Sequence, residues 1–128
     1  MTDRPWTVPA AVAVGGMAGA SARYGVSRLI TVPAGGFPWA TLTVNVTGAF
    51  AIGLLVAVLT AHRSHSLLLR ALLGTGVLGG YTTFSTLSVE ADVLAKDGRV
   101  GLAIAYIAVT LVAGLAAVAL GAAAGRRA

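Results

Sequence analysis

The chain of 128 residues is 57% hydrophobic and 10% charged, with a formal net charge of +5, whereas soluble domains average about 25% charged residues. This composition excludes an ordinary soluble domain. The basic residues are scattered over the termini and loops without an aromatic-interleaved stripe, which argues against nucleic acid as a partner. The chain has no cysteine, which excludes disulfides, thiolate metal sites and cysteine nucleophiles.

Four apolar stretches follow one another along the chain. They cover about residues 8–30, 37–61, 67–94 and 100–124, and a bilayer core of roughly 30 Å needs about 20 apolar residues per helix. Because the connections are short, the helices must run up and down, with both termini on one side. The sequence therefore predicts an all-α, four-helix integral membrane protein with a single transmembrane domain, placed in the cell's inner (plasma) membrane.

The first stretch contains small residues and one arginine. Gly15 and Gly19 stand four residues apart, as do Gly76 and Gly80 in the third stretch, and this spacing is typical of helices that pack closely in lipid. Arg23 lies near the end of the first stretch. Its guanidinium would either snorkel to the membrane interface or draw anions into a vestibule.

The second and fourth stretches each carry polar residues on one helix face. In the second, Thr41 and Asn45 are four residues apart, and the Asn45 amide would either donate to an anion or pack helices together. In the fourth, Tyr106 and Thr110 have the same spacing, and their hydroxyls would form a polar track or link helices. Polar groups inside a span are costly and usually functional, but the pattern alone leaves both interpretations open.

The third stretch contains the polar run GGYTTFST at residues 79–86. Irregular backbone at membrane depth persists only where it is buried in protein or lines a polar cavity. We therefore predict that the third helix breaks at Gly79-Gly80 and handles an ion there. A break exposes main-chain carbonyls to a hard cation, and amides and hydroxyls to an anion. Phe84 follows, and its ring edge would attract an anion, although its position alone favours a core role.

Acidic residues are absent from the first, second and fourth stretches, and only Glu90 and Asp92 approach the end of the third. This weighs against proton-coupled transport, which needs a carboxylate near the midplane. No activating base stands beside any serine or threonine, so we predict that the chain is not an enzyme. The main alternative is a small multidrug exporter, which would want a glutamate in its first span. A non-transporting assembly subunit would explain the glycine pairs but not the polar run.

The basic residues are divided almost evenly between the two sides of the membrane. An oriented four-helix protein should show a clear excess on its cytoplasmic face, so an even division predicts dual topology and an antiparallel dimer. One side carries Arg4, Arg63, Arg70, Arg126 and Arg127, and the other carries Arg23, Arg28, Lys96 and Arg99.

Three motifs occur in order: GGMAGASARY at residues 15–24, TLTVNVTGAF at 41–50 and GGYTTFST at 79–86. Together they resemble the small bacterial fluoride channels of the Fluc or CrcB family, and the resemblance covers all four stretches. It implies an antiparallel, dual-topology dimer in the lipid bilayer, with two narrow pores that passively export fluoride. It also implies a structural sodium ion at the dimer centre that is not transported.

The resemblance assigns roles to individual residues. It implies that the main-chain carbonyls of Gly79 and Thr82 from both subunits hold the sodium ion. Arg23 matches a vestibule arginine, and Glu90 matches an acidic residue near the end of the pore segment. Leu87 stands where the family usually has a second phenylalanine, which leaves both a homodimer and a heterodimer with a paralogous subunit open. The implied pore residues are Asn45, Thr83, Phe84, Ser85, Thr86, Tyr106 and Thr110.

Overall fold

The computed structural model describes residues 4–128, and every regular element in that range is helical. The all-α prediction is therefore confirmed for the described part of the chain. Helix α3 runs without interruption over residues 67–81, in three parts: Leu67–Leu69, the π-helical Arg70–Leu78 and Gly79–Tyr81. The other helices are α1, Thr7–Leu29; α2, Trp39–Ala61; α4, Ser85–Lys96; and α5, Val100–Arg126.

Three helical segments of the described chain are long and apolar enough to cross a membrane: Trp39–Ala61, Leu67–Lys96 and Val100–Arg126. The segment Leu67–Lys96, here called the third span, contains both α3 and α4. Helix α1 has 23 residues, as many as α2, but it is not among the three because its glycines and polar side chains make it less apolar. That α1 is a fourth span stays a prediction.

The helices pack in two close pairs, α1 with α3 and α2 with α5. Both pairs depend on glycine at the points of contact. A Cβ added at Gly19 would collide with the carbonyl oxygen of Val77, and one added at Gly121 would collide with that of Phe50. Close backbone approach at small residues is how helices associate in lipid, where apolar side chains gain little by leaving the tails.

The third span is broken, as predicted, but the predicted position is wrong. Gly79 has helical dihedral angles (φ −64°, ψ −38°), and the chain first becomes extended at Thr82 (φ −79°, ψ 158°). Helix resumes at Ser85. The glycine at position 80 serves packing instead, because a Cβ there would lie 2.5 Å from the carbonyl oxygen of Gly16.

Between α4 and α5 the contacts are made by side chains. Leu87, Ala91 and Leu94 from α4 pack against Ala103 and Tyr106 from α5 in one buried cluster. The ring of Phe37 closes this cluster, with its centroid 5.4 Å from that of Tyr106 in an edge-to-face arrangement that aromatic pairs favour. The cluster fixes α4, and so determines where the residues after the break are held.

Candidate functional site

A cavity of about 570 Å³ lies beside the break of the third span. Helix α1, the connection to α2, α2 itself and α4 all contribute to its wall. Five of the residues singled out from the sequence meet there: Arg23, Thr41, Thr83, Thr86 and Glu90. The cavity therefore brings a basic side chain, an acidic side chain and several hydroxyl groups to the same space, next to the irregular backbone.

Asn45 is bound to the main chain of the break. Its Nδ2 donates to the carbonyl oxygen of Thr83 at 2.8 Å, and its Oδ1 accepts from the backbone N–H of Thr83 at 2.8 Å. We call these two bonds the Asn45–Thr83 clasp. The sequence left two roles open for Asn45, donation to an anion and linkage of helices. These two bonds link α2 to the third span, and Nδ2 keeps a second N–H for another acceptor.

The hydroxyl groups after the break bond to one another. The Thr83 hydroxyl oxygen lies 3.2 Å from that of Ser85 and 3.1 Å from that of Thr86, and it accepts the backbone N–H of Thr86 at 3.1 Å. A side-chain oxygen that accepts a first-turn N–H caps a helix start. Thr83 therefore ends the irregular segment and begins α4 with the same side chain that faces the cavity.

Glu90 is held through both of its carboxylate oxygens. Thr41 donates its hydroxyl to Oε1 at 2.8 Å, and Tyr106 donates its hydroxyl to Oε2 at 2.7 Å. Both donors are buried, with Tyr106 0% exposed. Hydrogen bonds to a charged acceptor are about twice as strong as neutral ones, so the carboxylate is fixed in the cavity wall.

A second pair of contacts from α2 flanks the break. The Thr47 hydroxyl lies 2.9 Å from the Tyr81 hydroxyl, and a Cβ added at Gly48 would collide with the methyl group of Thr82. The sequence placed Thr41 on one face of α2 with Asn45 but did not identify its bond to Glu90. It gave no signal that singled out Thr47 or Tyr81.

Several expected pore residues lie apart from the cavity. Phe84 is 79% exposed on the surface of the single chain, whereas Leu87 is 7% exposed within the buried α4–α5 cluster. The Thr110 hydroxyl donates back to the Tyr106 carbonyl at 2.7 Å. In the described chain the cavity wall does not include Asn45, Phe84, Ser85, Tyr106 or Thr110.

The main-chain carbonyl oxygens of Gly79 and Thr82, at the break, are candidate ligands for a cation. Neither the Gly79 nor the Thr82 carbonyl oxygen accepts a hydrogen bond from another residue within 4–128. The same range contains no cluster of three or more histidine, cysteine, aspartate or glutamate side chains suited to a metal. Hard cations take oxygen ligands, and unwound main-chain carbonyls in transporters coordinate sodium. Two carbonyl oxygens in the described chain are therefore free to ligate such a cation.

Comparison with known proteins identifies the family. A family model described as "CrcB-like protein, Camphor Resistance (CrcB)" matches residues 10–122. The chain belongs to the CrcB family. It is 50% identical over 120 residues to a Streptomyces coelicolor protein named fluoride-specific ion channel FluC 1, covering 94% of this chain and 78% of the relative.

Two further CrcB relatives carry similar names. The fluoride-specific ion channel FluC 2 of Nocardia farcinica is 47% identical, covering 91% of this chain and 83% of the relative. The fluoride-specific ion channel FluC of Agrobacterium fabrum is 47% identical, covering 91% and 94%. CrcB membership confirms the resemblance stated from the three motifs, and the chain is a multi-pass membrane protein. The relatives are named as ion channels, in agreement with the expectation that the chain is not an enzyme.

Proposed function

We propose that this protein is a fluoride-specific channel that passively exports fluoride across the plasma membrane. The proposal depends on one observation: a hydroxyl-rich break of a membrane span lies beside a cavity with Arg23 and Glu90 in its wall, in a chain 50% identical to a protein named fluoride-specific ion channel FluC 1. Hydrogen fluoride crosses lipid uncharged and dissociates inside. A negative interior then drives the anion outward by about 2.3 kcal/mol per charge per 100 mV, so no coupling carboxylate is needed.

Fluoride is small and strongly hydrated, so a pore must replace its water with hydrogen-bond donors. The Thr83 hydroxyl lies 3.2 Å from that of Ser85 and 3.1 Å from that of Thr86, and a hydroxyl can rotate its proton toward an anion. Phe84 offers the positive edge of its ring. Arg23, at the cavity wall, attracts the anion toward these donors.

Two of the expected pore residues act in a different way. The Tyr106 hydroxyl already donates to Glu90, so Tyr106 supports the cavity wall and does not offer its proton to fluoride. Asn45 has one remaining N–H on Nδ2 after its two bonds to Thr83. That single N–H is the donor that Asn45 contributes to the pore. Thr110 lies one turn beyond Tyr106, and because its hydroxyl donates to the Tyr106 carbonyl, its oxygen faces α5 itself and Thr110 contributes to the path only through its position.

The functional unit is an antiparallel homodimer. A second copy would bury the ring of Phe84, which is 79% exposed in the single chain, and would add its own Gly79 and Thr82 carbonyls to the pair described above. When bound, a sodium ion supplies a fixed positive charge that joins the two copies. Leu87 lies in the α4–α5 cluster and not on the exposed face, so its lack of a ring does not require a paralogous partner.

Reconstituted liposomes test the channel. Vesicles loaded with potassium fluoride or potassium chloride and containing the purified chain should release fluoride rapidly once a potassium ionophore is added. Chloride should remain trapped, because hydroxyl donors spaced for a small ion cannot close around a larger one. Protein-free vesicles provide the control for leakage. Equal release of the two anions would refute a fluoride-specific channel.

A further inference from the structure

One side chain of α2 satisfies both main-chain polar groups of Thr83. In an uninterrupted α-helix the Thr83 N–H would bond to the carbonyl four residues earlier, which is that of Gly79. Here that N–H goes to Oδ1 of Asn45 at 2.8 Å, and the Thr83 carbonyl receives Nδ2 at 2.8 Å. The clasp therefore replaces the hydrogen bond that would carry the helix across the break.

The neighbouring bonds show where the replacement begins and ends. The Thr82 N–H still bonds to the Leu78 carbonyl at 3.0 Å, so the main-chain hydrogen bonds of α3 continue up to this point. The Thr86 N–H bonds to the Thr83 hydroxyl at 3.1 Å, which starts α4. In the described break, Thr83 is thus the residue whose backbone N–H and carbonyl bond to α2 instead of continuing the helix. As a result, the Gly79 carbonyl has no N–H donor.

We propose that Asn45 is a positioning residue that keeps the third span broken by holding the Thr83 backbone. Its action on the channel passes through Thr83 and is separate from any donation to fluoride. By withdrawing the Thr83 N–H from Gly79, it leaves a carbonyl oxygen available to a cation. Only this last consequence depends on the sodium site of the proposed function.

Two other contacts of α2 near the break leave the helix hydrogen bonds unchanged. Thr47 contacts the Tyr81 side chain, and Gly48 contacts the Thr82 methyl group. Neither contact takes a main-chain donor from α3. Thr47→Val removes a side-chain hydrogen bond on the same helix near the same break, and is therefore the matched control for Asn45→Ala.

The backbone geometry provides a suppressor. Proline has no N–H, so proline at position 83 cannot bond to the Gly79 carbonyl. Residues before proline favour extended backbone, and Thr82 already has φ −79° and ψ 158°. With Asn45 in place, the proline ring meets Oδ1, which lies 2.8 Å from the Thr83 nitrogen. In Asn45→Ala that space is empty, so Thr83→Pro should restore the break there.

The first test measures the sodium concentration that gives half-maximal thermal stabilisation of the purified protein in detergent, with choline as the replacing cation. Asn45→Ala should raise that concentration roughly tenfold or more, because it removes both hydrogen bonds of the clasp and a net hydrogen bond of ordinary strength corresponds to about fivefold. Thr83→Pro alone should also weaken the sodium effect. The double variant should need less sodium than Asn45→Ala, although it lacks the Thr83 hydroxyl that begins α4, and Thr47→Val should stay within about twofold of the wild type.

An Asn45→Ala protein with wild-type sodium dependence, or a double variant weaker than both single variants, overturns the proposal. A wild-type protein whose stability ignores sodium removes the sodium site instead. The clasp is then judged by unfolding temperature, where the double variant should again exceed Asn45→Ala. If Asn45→Ala yields no folded protein, recovery of folded protein in the double variant supports the clasp, and equal failure of both opposes it.

Amide hydrogen exchange of the wild-type protein gives an independent measurement. The Thr83 backbone amide should exchange slowly both with and without sodium, because its bond to Asn45 needs no ion. Exchange at the rate of an unprotected loop amide would show that the clasp is absent in solution, whatever the variants do.

Discussion

The two halves of the third span, α3 before the break and α4 after it, are held by different means. Helix α3 packs against α1 through bare backbone, with Gly15 facing the Leu72 carbonyl and Gly19 facing that of Val77. Helix α4 packs against α5 through side chains, with Leu94 3% exposed in the cluster around Tyr106. The packing of α3 therefore depends on glycines that have no side chain, and the packing of α4 depends on side chains that fill the cluster.

This difference determines how each half responds to change. A backbone contact has no rotamer to adjust, so an added carbon must move a whole helix. A side-chain cluster can repack, and volume-conserving exchanges within it usually cost less than about 1.5 kcal/mol. The glycine-packed half thus gives the break a rigid anchor. The repackable half carries Glu90 and with it part of the cavity wall.

The largest expected effect comes from a side chain placed between α1 and α3. Gly19→Val should prevent recovery of folded protein, because its Cβ alone collides with the Val77 carbonyl oxygen and lies 2.8 Å from the Tyr81 nitrogen. Gly25→Val is the matched control on the same helix, since its added Cβ would meet no atom of another described helix within 4 Å. Yield of monodisperse protein after size exclusion provides the measurement. Comparable yields for the two variants would contradict the backbone contact.

A smaller effect is expected where a side chain on α5 positions the cavity wall. Tyr106→Phe removes the hydroxyl donated to Glu90 but keeps the ring that packs on Phe37. A hydrogen bond to a charged group is worth about 1.5–3 kcal/mol, so the thermal midpoint should fall and fluoride efflux should slow. Tyr24→Phe, whose ring is 65% exposed, controls for hydroxyl loss by leaving the midpoint unchanged. An unaltered midpoint in Tyr106→Phe would mean that the bond to Glu90 does not form.

The smallest effect is expected within the α4–α5 cluster. Leu87→Phe enlarges a side chain that is 7% exposed, and overpacking a core costs about 1–3 kcal/mol. We expect the lower end of that range, because the cluster can repack, with fluoride efflux retained. Leu87→Met conserves volume and serves as the control. Loss of folded protein in Leu87→Phe would show that the α4–α5 cluster cannot repack and tolerates added volume no better than the glycine contacts between α1 and α3.

Local sequence signals predicted the helices well and the break less well. Helix α5 begins at Val100, where the fourth apolar stretch was expected to begin, because the preceding Lys96–Arg99 segment is polar. The break was expected at Gly79-Gly80, yet the same two glycines also suit close packing, and Gly80 serves α1. A glycine pair does not reveal from sequence which of these two uses it has.

The sequence predicted many residues of the candidate site but not the hydrogen bonds that join them. Thr83, Thr86, Arg23 and Glu90 were named from motifs, and they meet at one cavity. That Asn45 holds the Thr83 backbone depends on the register between α2 and α3, which neither helix encodes alone. The buried bond from Tyr106 to Glu90 likewise depends on how α4 docks on α5.

The π-helical part of α3, Arg70–Leu78, determines the direction in which the residues of the break point around the helix axis. Its hydrogen bonds reach back five residues, as the Gly79 N–H does to the Gly74 carbonyl, so each turn holds more residues than the 3.6 of an α-helix. If this part wound as an ordinary α-helix, Thr83 would point in another direction around the axis and miss Asn45. Substitutions within Arg70–Leu78 that favour ordinary α-helical winding would therefore turn the break away from α2, although every residue of the break itself would be unchanged.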